Sequence, residues 1–305
     1  MTDAPQTPAQ RCGIVALIGA PNAGKSTLLN RIVGSKVAIV THKVQTTRSR
    51  LRGIAMEGQS QLIFVDTPGI FRPKRKLDEA MVEAAWSGAD DADVIVLLID
   101  ARKGVGEEEQ EILDVLAKTR RKVTLALNKV DTVERSSLLE IAARCNDLLG
   151  FEETFMISAL NGSGVDDLRR HLAERMPQGP WLYPEDQLAD VPLRHMAAEI
   201  TREKVFLRLH QELPYASTVE TESWKELRDG SVRVEQVLYV ERDSQKKIAL
   251  GKNGQTIKAI GSAAREDLQE LLGHKVHLFL FVKVREKWGQ DPERFESMGL
   301  NFPKS

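Results

Sequence analysis

The 305-residue sequence predicts two folded units in series, a doubly wound α/β sheet and a smaller α+β module. Three observations lead there. Short apolar runs alternate with helical patterns from residue 11 to residue 176, which implies a mostly parallel sheet covered on both faces. A segment with four prolines, PQGPWLYPEDQLADVP at 177–192, then breaks the composition and reads as a linker. Beyond it a helix, two strands, two helices and a strand follow in a different order. The length agrees, because a chain this long exceeds what one core usually serves.

In chain order, MTDAPQTPAQ (1–10) reads as a flexible tail and RCGIVALIGA as a buried strand, followed by the helical pattern STLLNRIVG. SRLRGIAMEG and SQLIFVDTPG flank Gly58 as a hairpin. DVIVLLID, KVTLALNKVD and ETFMISAL are further strands, separated by the helices KLDEAMVEAAW, EEEQEILDVLAKT and SSLLEIAARCNDLL and followed by VDDLRRHLAERM. The second unit, 193–287, reads as helix (193–212), strand (216–227), a turn at Arg228-Asp229-Gly230, strand (231–242), short helix (244–250), helix (255–272) and strand (275–286). Ile257, Ile260, Ala264, Leu268 and Leu271 form one stripe of its long helix, and Val276, Leu278, Leu280, Val282 and Val284 alternate onto one face of its last strand. Residues 288–305 remain as a C-terminal extension.

Composition excludes several classes. Hydrophobic content of 42% and charged content of 29% describe an ordinary globular protein. Two isolated cysteines, Cys12 and Cys145, make no disulfide framework, and the histidines, His274 and His277 included, lack zinc-ligand spacing. The longest apolar runs, such as VIVLLI, are too short to span a bilayer, and the N-terminus carries no apolar signal region, so a cytoplasmic location is expected. The net charge of −1 predicts no nucleic-acid partner by itself, yet Glu241 to Lys287 holds ten Lys or Arg against six Asp or Glu.

The chemistry begins at GAPNAGKS, residues 19–26, which fits G-x-x-x-x-G-K-[ST] between a strand and a helix. Gly19 and Gly24 let the loop Ala20-Pro21-Asn22-Ala23 wrap close to phosphate oxygens. Lys25 would neutralise β- and γ-phosphate charge, the Ser26 hydroxyl is a Mg²⁺ ligand, and Thr27 continues into the helix. Asp66, ending the third strand in DTPG, can hold Mg²⁺ through water. Thr67 and Pro68 lead to Gly69, whose N–H can face a γ-phosphate. In NKVD (128–131) the Asp131 carboxylate can accept hydrogen bonds from guanine N1–H and the 2-amino group, which adenine does not offer. Asn128 can brace the phosphate loop and the Lys129 stem can lie along the base. Ser158-Ala159-Leu160 ends the next strand, where the Ala159 amide can reach guanine O6. A turn that binds nothing would explain any one motif; all of them in chain order describe a GTP/GDP site over residues 11–176.

This domain resembles the translation-factor-related GTPases, and VQTTRSRLRG at 44–53 is similar to the first switch of the Era family. The resemblance implies a P-loop GTPase sheet in which a switch threonine joins Mg²⁺ in the GTP state. Thr47 matches it, with Thr46 as its near-twin, and the catalytic roles fall to Lys25, Thr47 and Gly69. One departure affects mechanism: Ile70 stands where many regulatory GTPases carry the water-orienting Gln. Unaided hydrolysis is therefore expected to be slow, with the orienting group supplied from elsewhere. In related GTPases an asparagine at the place of Asn22 helps to bind K⁺; the plainer reading of Asn22 is a turn residue.

A second loop, GKNG at 251–254, fails the phosphate-loop pattern but fits G-x-x-G joining two helices, as in a KH domain. Gly251 and Gly254 permit close backbone approach, Lys252 and Asn253 lie between them, and Lys246, Lys247 and Lys258 add charge. A plain helix connection would also place glycines here. The element order is that of a type II KH fold, and a G domain followed by this module is the Era architecture, over roughly residues 11 to 290. That resemblance implies a monomeric switch that binds 16S ribosomal RNA near its 3′ end and assists assembly of the small ribosomal subunit, with peripheral contact to the cytoplasmic membrane face. The competing reading is a signalling GTPase whose KH-like module docks protein partners.

Overall fold

The computed structural model describes residues 9–119 and 121–303, so nearly all of the tail expected at 1–10 lies outside it. Its first sheet contains β1 (Arg11–Ile18), β2 (Leu51–Glu57), β3 (Ser60–Asp66), β4 (Val94–Asp100), β5 (Val123–Asn128) and β6 (Glu153–Ile157), in the order β2-β3-β1-β4-β5-β6. Only the β2–β3 hairpin is antiparallel. The apolar runs are buried along their length because helices cover both faces. On one face α1 (Lys25–Val33) and α5 (Val165–Arg175) pack Leu28, Leu29, Leu168 and Leu172 against the sheet. On the other, α2 (Lys76–Asp90), α3 (Glu107–Leu116) and α4 (Arg135–Leu148) contribute Ala85, Ala89, Ile112, Leu116 and Cys145.

Strand register positions the site. Leu17 lies beside Asp66 and Asp100 beside Asn128. The loops after β1, β3, β4, β5 and β6 therefore open along one carboxyl edge of the sheet, where open α/β folds place ligands.

The second unit comprises α6 (Leu193–Arg208), β7 (Ser217–Glu226), β8 (Val232–Val240), α7 (Asp243–Leu250), α8 (Gln255–Leu272) and β9 (Val276–Val284). Its sheet runs β7-β8-β9, with β7/β8 antiparallel and β8/β9 parallel. The predicted stripe of β9 packs inward. In α8 the stripe holds through Ile260, Ala264 and Leu268, but Leu271 stays 37% exposed and Leu272 packs instead. Four residues after Leu268 the helix returns closer to the buried direction than it does after three.

Two features bind the two units and the segment between them together. Segment 177–192 is attached along the edge of the first sheet: Ile54 N–H donates to Leu188 O at 2.8 Å and Asp190 N–H to Arg52 O at 3.0 Å. The fully buried Gln61 side chain accepts from the amides of Leu182 (2.9 Å) and Tyr183 (3.0 Å). The core is also continuous, since Met196, Ala197, Ile200, Val232, Val234 and Leu268 belong to the same apolar cluster as Leu28 and Leu29.

The C-terminal extension turns back as a strap ending in α9 (Pro292–Ser297). Trp288, Phe295 and Leu300 pack on Leu77, Ala80, Met81 and Ala84 of α2. Among the described residues no helix is long and apolar enough to cross a membrane.

Candidate functional site

The loop after β1 closes only because two of its residues lack a side chain. At Gly19 (φ 148°) a Cβ would sit 2.4 Å from Leu98 O, and at Gly24 (φ 102°) 2.2 Å from Asn128 Nδ2. Lys25 is buried under the loop and donates to Gly19 O (2.9 Å) and Ala20 O (3.1 Å). Burial pushes its ammonium down to about 8, against the pull of Asp66.

Ser26 Oγ donates to Asp66 Oδ2 at 2.6 Å and lies 3.0 Å from Thr47 Oγ1, which is itself 3.3 Å from Asp66 Oδ2. The structure thus separates the two candidate threonines. Thr46 turns away, donating to Lys43 O at 2.7 Å and pairing with Thr41 Oγ1 at 2.6 Å. Asp66 is fully buried, and burial raises its carboxyl pKa against the lowering effect of the Ser26 hydrogen bond and of Lys25. Its Oδ1 has no hydrogen-bond partner among the described residues. An orphaned buried carboxylate oxygen beside two hydroxyls suits a hard, oxygen-seeking divalent cation. In the rest of DTPG, Thr67 donates to Leu17 O (2.8 Å), and Gly69 approaches so closely that a Cβ would meet Pro21 Cα at 2.8 Å.

Asn128 ties the two ends of the cleft together. Its Nδ2 donates to Ala23 O (2.8 Å), bracing the phosphate loop as expected, while its Oδ1 accepts from the amides of Lys129 (2.8 Å) and Ala159 (3.0 Å). The last contact ties the Ala159 N–H, which the sequence reading placed within reach of guanine O6, to the Asn128 side chain. Lys129, in the left-handed region (φ 68°), reaches Asp100 Oδ2 at 2.7 Å and Asn22 O at 2.5 Å.

Asp100 is a participant that the sequence reading missed. Burial works against its charge, but hydrogen bonds from Arg102 and Lys129 hold it ionised, down to about 2. Its strand-end position, matching that of Asp66, was the available signal.

Asp131 sits exposed on the single turn 130–132, and its carboxylate makes no hydrogen bond among the described residues. Ser158 is buried, Leu160 is exposed, and Arg31 holds the carbonyls of both Ala159 (3.3 Å) and Leu160. Asn22 (φ 63°) donates to His42 O at 3.1 Å. These groups converge on a cleft of about 450 Å³ lined by Asn22, Lys25, Ser26, Thr47, Gly69 and Asp131 among others.

The second loop stands apart from this cleft. Gly251 (φ 72°), Asn253 (φ 52°) and Gly254 (φ 73°) turn the chain between α7 and α8, and a Cβ at Gly251 would lie 2.1 Å from Thr256 Oγ1. Lys247, Lys252, Asn253 and Lys258 are exposed and Lys246 is half-buried. Ile248, 60% exposed on α7, adds an apolar surface that sequence reasoning did not single out.

Fold and site together define a P-loop GTP-binding domain joined to a KH domain. The family description "50S ribosome-binding GTPase" matches residues 14–129, and "KH domain" matches residues 212–289. The GTPase Era of Rhizobium meliloti is 65% identical over 294 residues, spanning 96% of this chain and 94% of that protein. That of Brucella suis is 63% identical over 302 residues, spanning 99% and 96%. Two solved structures superpose with a TM-score of 0.90 at 36% identity, covering 95% of this chain and 99% of theirs. One is a variant of Aquifex aeolicus Era bound to GDP·AlF4⁻; the other is Era with MgGDPNP and nucleotides 1506–1542 of 16S ribosomal RNA. The chain belongs to the Era family of GTPases.

The buried amine yields a prediction. At about pH 9 much of the free protein carries Lys25 neutral, and an arriving polyphosphate draws it back to the ammonium form. Nucleotide binding should then take up protons, and the uptake should vanish near about pH 7, where the amine is already charged. Calorimetry in two buffers of different ionisation heat measures this; uptake that persists in Lys25→Met would contradict the assignment.

Proposed function

We propose that this GTPase acts as a nucleotide-driven switch whose KH domain binds small-subunit ribosomal RNA, near the 3′ end of 16S, and assists assembly of that subunit. The observation that carries the reading is that one cleft holds the exposed Asp131 carboxylate and the Ser26 and Thr47 hydroxyls, which rest on the buried Asp66. Ser26 and Thr47 would ligate Mg²⁺ and Asp66 would hold it through water; bound, the ion offsets phosphate charge. The N–H of Gly69 and the ammonium of Lys25 would face the γ-phosphate. The RNA assignment rests on the exposed lysines around GKNG and on the 16S fragment held by the solved relative. The matching G-domain description names the large subunit, but it covers only residues 14–129, whereas the RNA-bearing relative matches both domains. A cytoplasmic, monomeric protein with peripheral membrane contact completes the family reading.

The link between nucleotide and RNA would be the segment between α1 and β2, which lies on the KH domain. Val40 N–H donates to Glu203 Oε1 (2.9 Å), and Lys36 pairs with Glu203 (2.7 Å) and Asp267 (2.8 Å). Lys43 caps the carbonyls of Phe206 and Leu209, and Arg202 donates to Thr46 O, next to Thr47. Motion of Thr47 toward or away from Mg²⁺ would therefore be felt by α6.

Asp131→Asn should weaken GTP binding and favour xanthosine triphosphate, whose C2 carbonyl suits an amide donor; unchanged GTP affinity would refute the base-reading role. We further propose that Asn22 helps to hold K⁺ near the phosphates. Hydrolysis should then run faster in K⁺ than in Na⁺ at equal ionic strength, and equal rates would remove that role.

For the RNA loop, replacing Lys252 and Asn253 together by Asp places carboxylates where phosphates must sit. Both positions are exposed, so each change should cost within about 0.5 kcal/mol of stability. Affinity for single-stranded RNA should fall sharply while GTP affinity holds. Full RNA affinity in the folded double variant would reduce GKNG to a helix connection.

A further inference from the structure

Ile70 leaves the hydrolytic water without its usual carboxamide. The residue is 7% exposed, packs among Ala20, Ala85 and Ala89 in the core, and donates its N–H to Gly19 O at 3.1 Å. Neither its side chain nor its backbone N–H is free to hold a water. Three carboxamides line the nucleotide cleft: Asn22, Gln45 and Asn128. Asn128 is fully committed to Ala23, Lys129 and Ala159, whereas Asn22 donates only its Nδ2, to His42 O, and is the residue proposed above to hold K⁺.

Gln45 differs from both in its place in the cleft. It lies two residues before Thr47, and it lines the cleft together with Pro21 and Gly69, at the end where a γ-phosphate would sit. It also borders the adjoining cavity with Phe71 and Asp78, the latter in the first turn of α2, so it stands between the segment that carries Thr47 and the one that follows Gly69. Its Nε2 donates to Asp78 Oδ1 at 3.1 Å, which directs Oε1 the other way, and Oε1 makes no hydrogen bond among the described residues. The backbone at Gln45 is left-handed (φ 58°), a conformation unfavourable for a non-glycine residue that tends to persist at functional sites.

Building on the GTP site proposed above, we infer that Gln45 supplies the water-orienting carboxamide that position 70 lacks. Its Oε1 accepts a hydrogen bond from the attacking water and fixes the water's lone pair on Pγ. The water O–Pγ bond forms as the bond from Pγ to the β,γ-bridging oxygen breaks, its electron pair leaving on GDP. The water proton passes to an oxygen of the departing inorganic phosphate. Asp78 is then a positioning residue that holds the amide end of Gln45. His42, the one imidazole among the described residues that line the cleft, is exposed and contributes its carbonyl to Asn22, which makes it the rival candidate.

The test is single-turnover GTP hydrolysis by the full chain at saturating Mg²⁺, beside GTP and GDP affinities from fluorescent analogues. Gln45→Ala should lower the saturated rate roughly 10- to 100-fold with both affinities unchanged. Gln45→Glu keeps an acceptor oxygen, so it should retain more activity than Gln45→Ala and gain an acid limb in its pH–rate profile that the parent lacks. His42→Ala should hydrolyse at the parent rate. A Gln45→Ala protein with the parent rate at saturation overturns the inference, whether its affinity is normal or weakened, and so does a loss that falls on His42→Ala instead. Failure of the parent chain to bind GTP would count against the site itself and not against Gln45.

Discussion

A chain segment without regular structure must find partners elsewhere for its backbone polar groups. Residues 35–50, which join α1 to β2 and wall the nucleotide cleft, find two such partners in the second domain, Glu203 for Val40 N–H and Arg202 for Thr46 O, and their own side chains reach across to its carbonyls. Arg48 shows the constraint most clearly. Its guanidinium is 2% exposed, donates to the carbonyls of Ser217 (2.8 Å), Pro214 (3.2 Å) and Tyr215 (3.2 Å), and is stacked by Phe206 and Trp288 at 5.5 and 5.6 Å. Burial and the nearby Arg202 pull its pKa down to about 9, so it remains charged at neutral pH inside a protein core. Lysine could not replace it: only a planar fork fits several carbonyls and two aromatic faces at once. Because Thr47 directly precedes Arg48, the cleft wall and the KH domain share one rigid attachment.

The C-terminal strap makes a second attachment of the same kind. Trp288 stacks on Arg48 and packs on α2, the helix that follows the DTPG loop. Both segments expected to rearrange with the nucleotide therefore touch the KH half, one through α6 and the other through the strap. A shared core with few independent parts favours two discrete arrangements over continuous drift, which is what a switch requires.

Much of this was legible in the sequence, for identifiable reasons. That Gly19, Gly24, Lys25, Asp66 and Asn128 meet at one edge of the sheet could be read because their motif spacing puts them at the ends of β1, β3 and β5. The KH order could be read because hydrophobic period changes between helix and strand. What remained hidden concerns partners. Periodicity shows that Leu268 faces inward, but not that it completes a core begun by Leu28. Prolines in 177–192 suggested a linker, and only the fold shows that the buried Gln61, a polar residue within an apolar strand, fastens that segment to the sheet. Thr46 and Thr47 are chemically equivalent in sequence, and only the fold places one beside Asp66. Asp100 looked like a strand end because its partners, Arg102 and Lys129, converge only after β4 and β5 align.

On these contacts, nucleotide state would reach the KH domain through α6. The most direct measurement is RNA affinity in the GTP-analogue and GDP states, in the parent and in Lys43→Ala. Removing the Lys43 ammonium frees the segment from the Phe206 and Leu209 carbonyls while touching neither ligand site. The account predicts that the difference in RNA affinity between the two nucleotide states shrinks in the variant while nucleotide affinities hold. An undiminished difference would show that the coupling runs elsewhere.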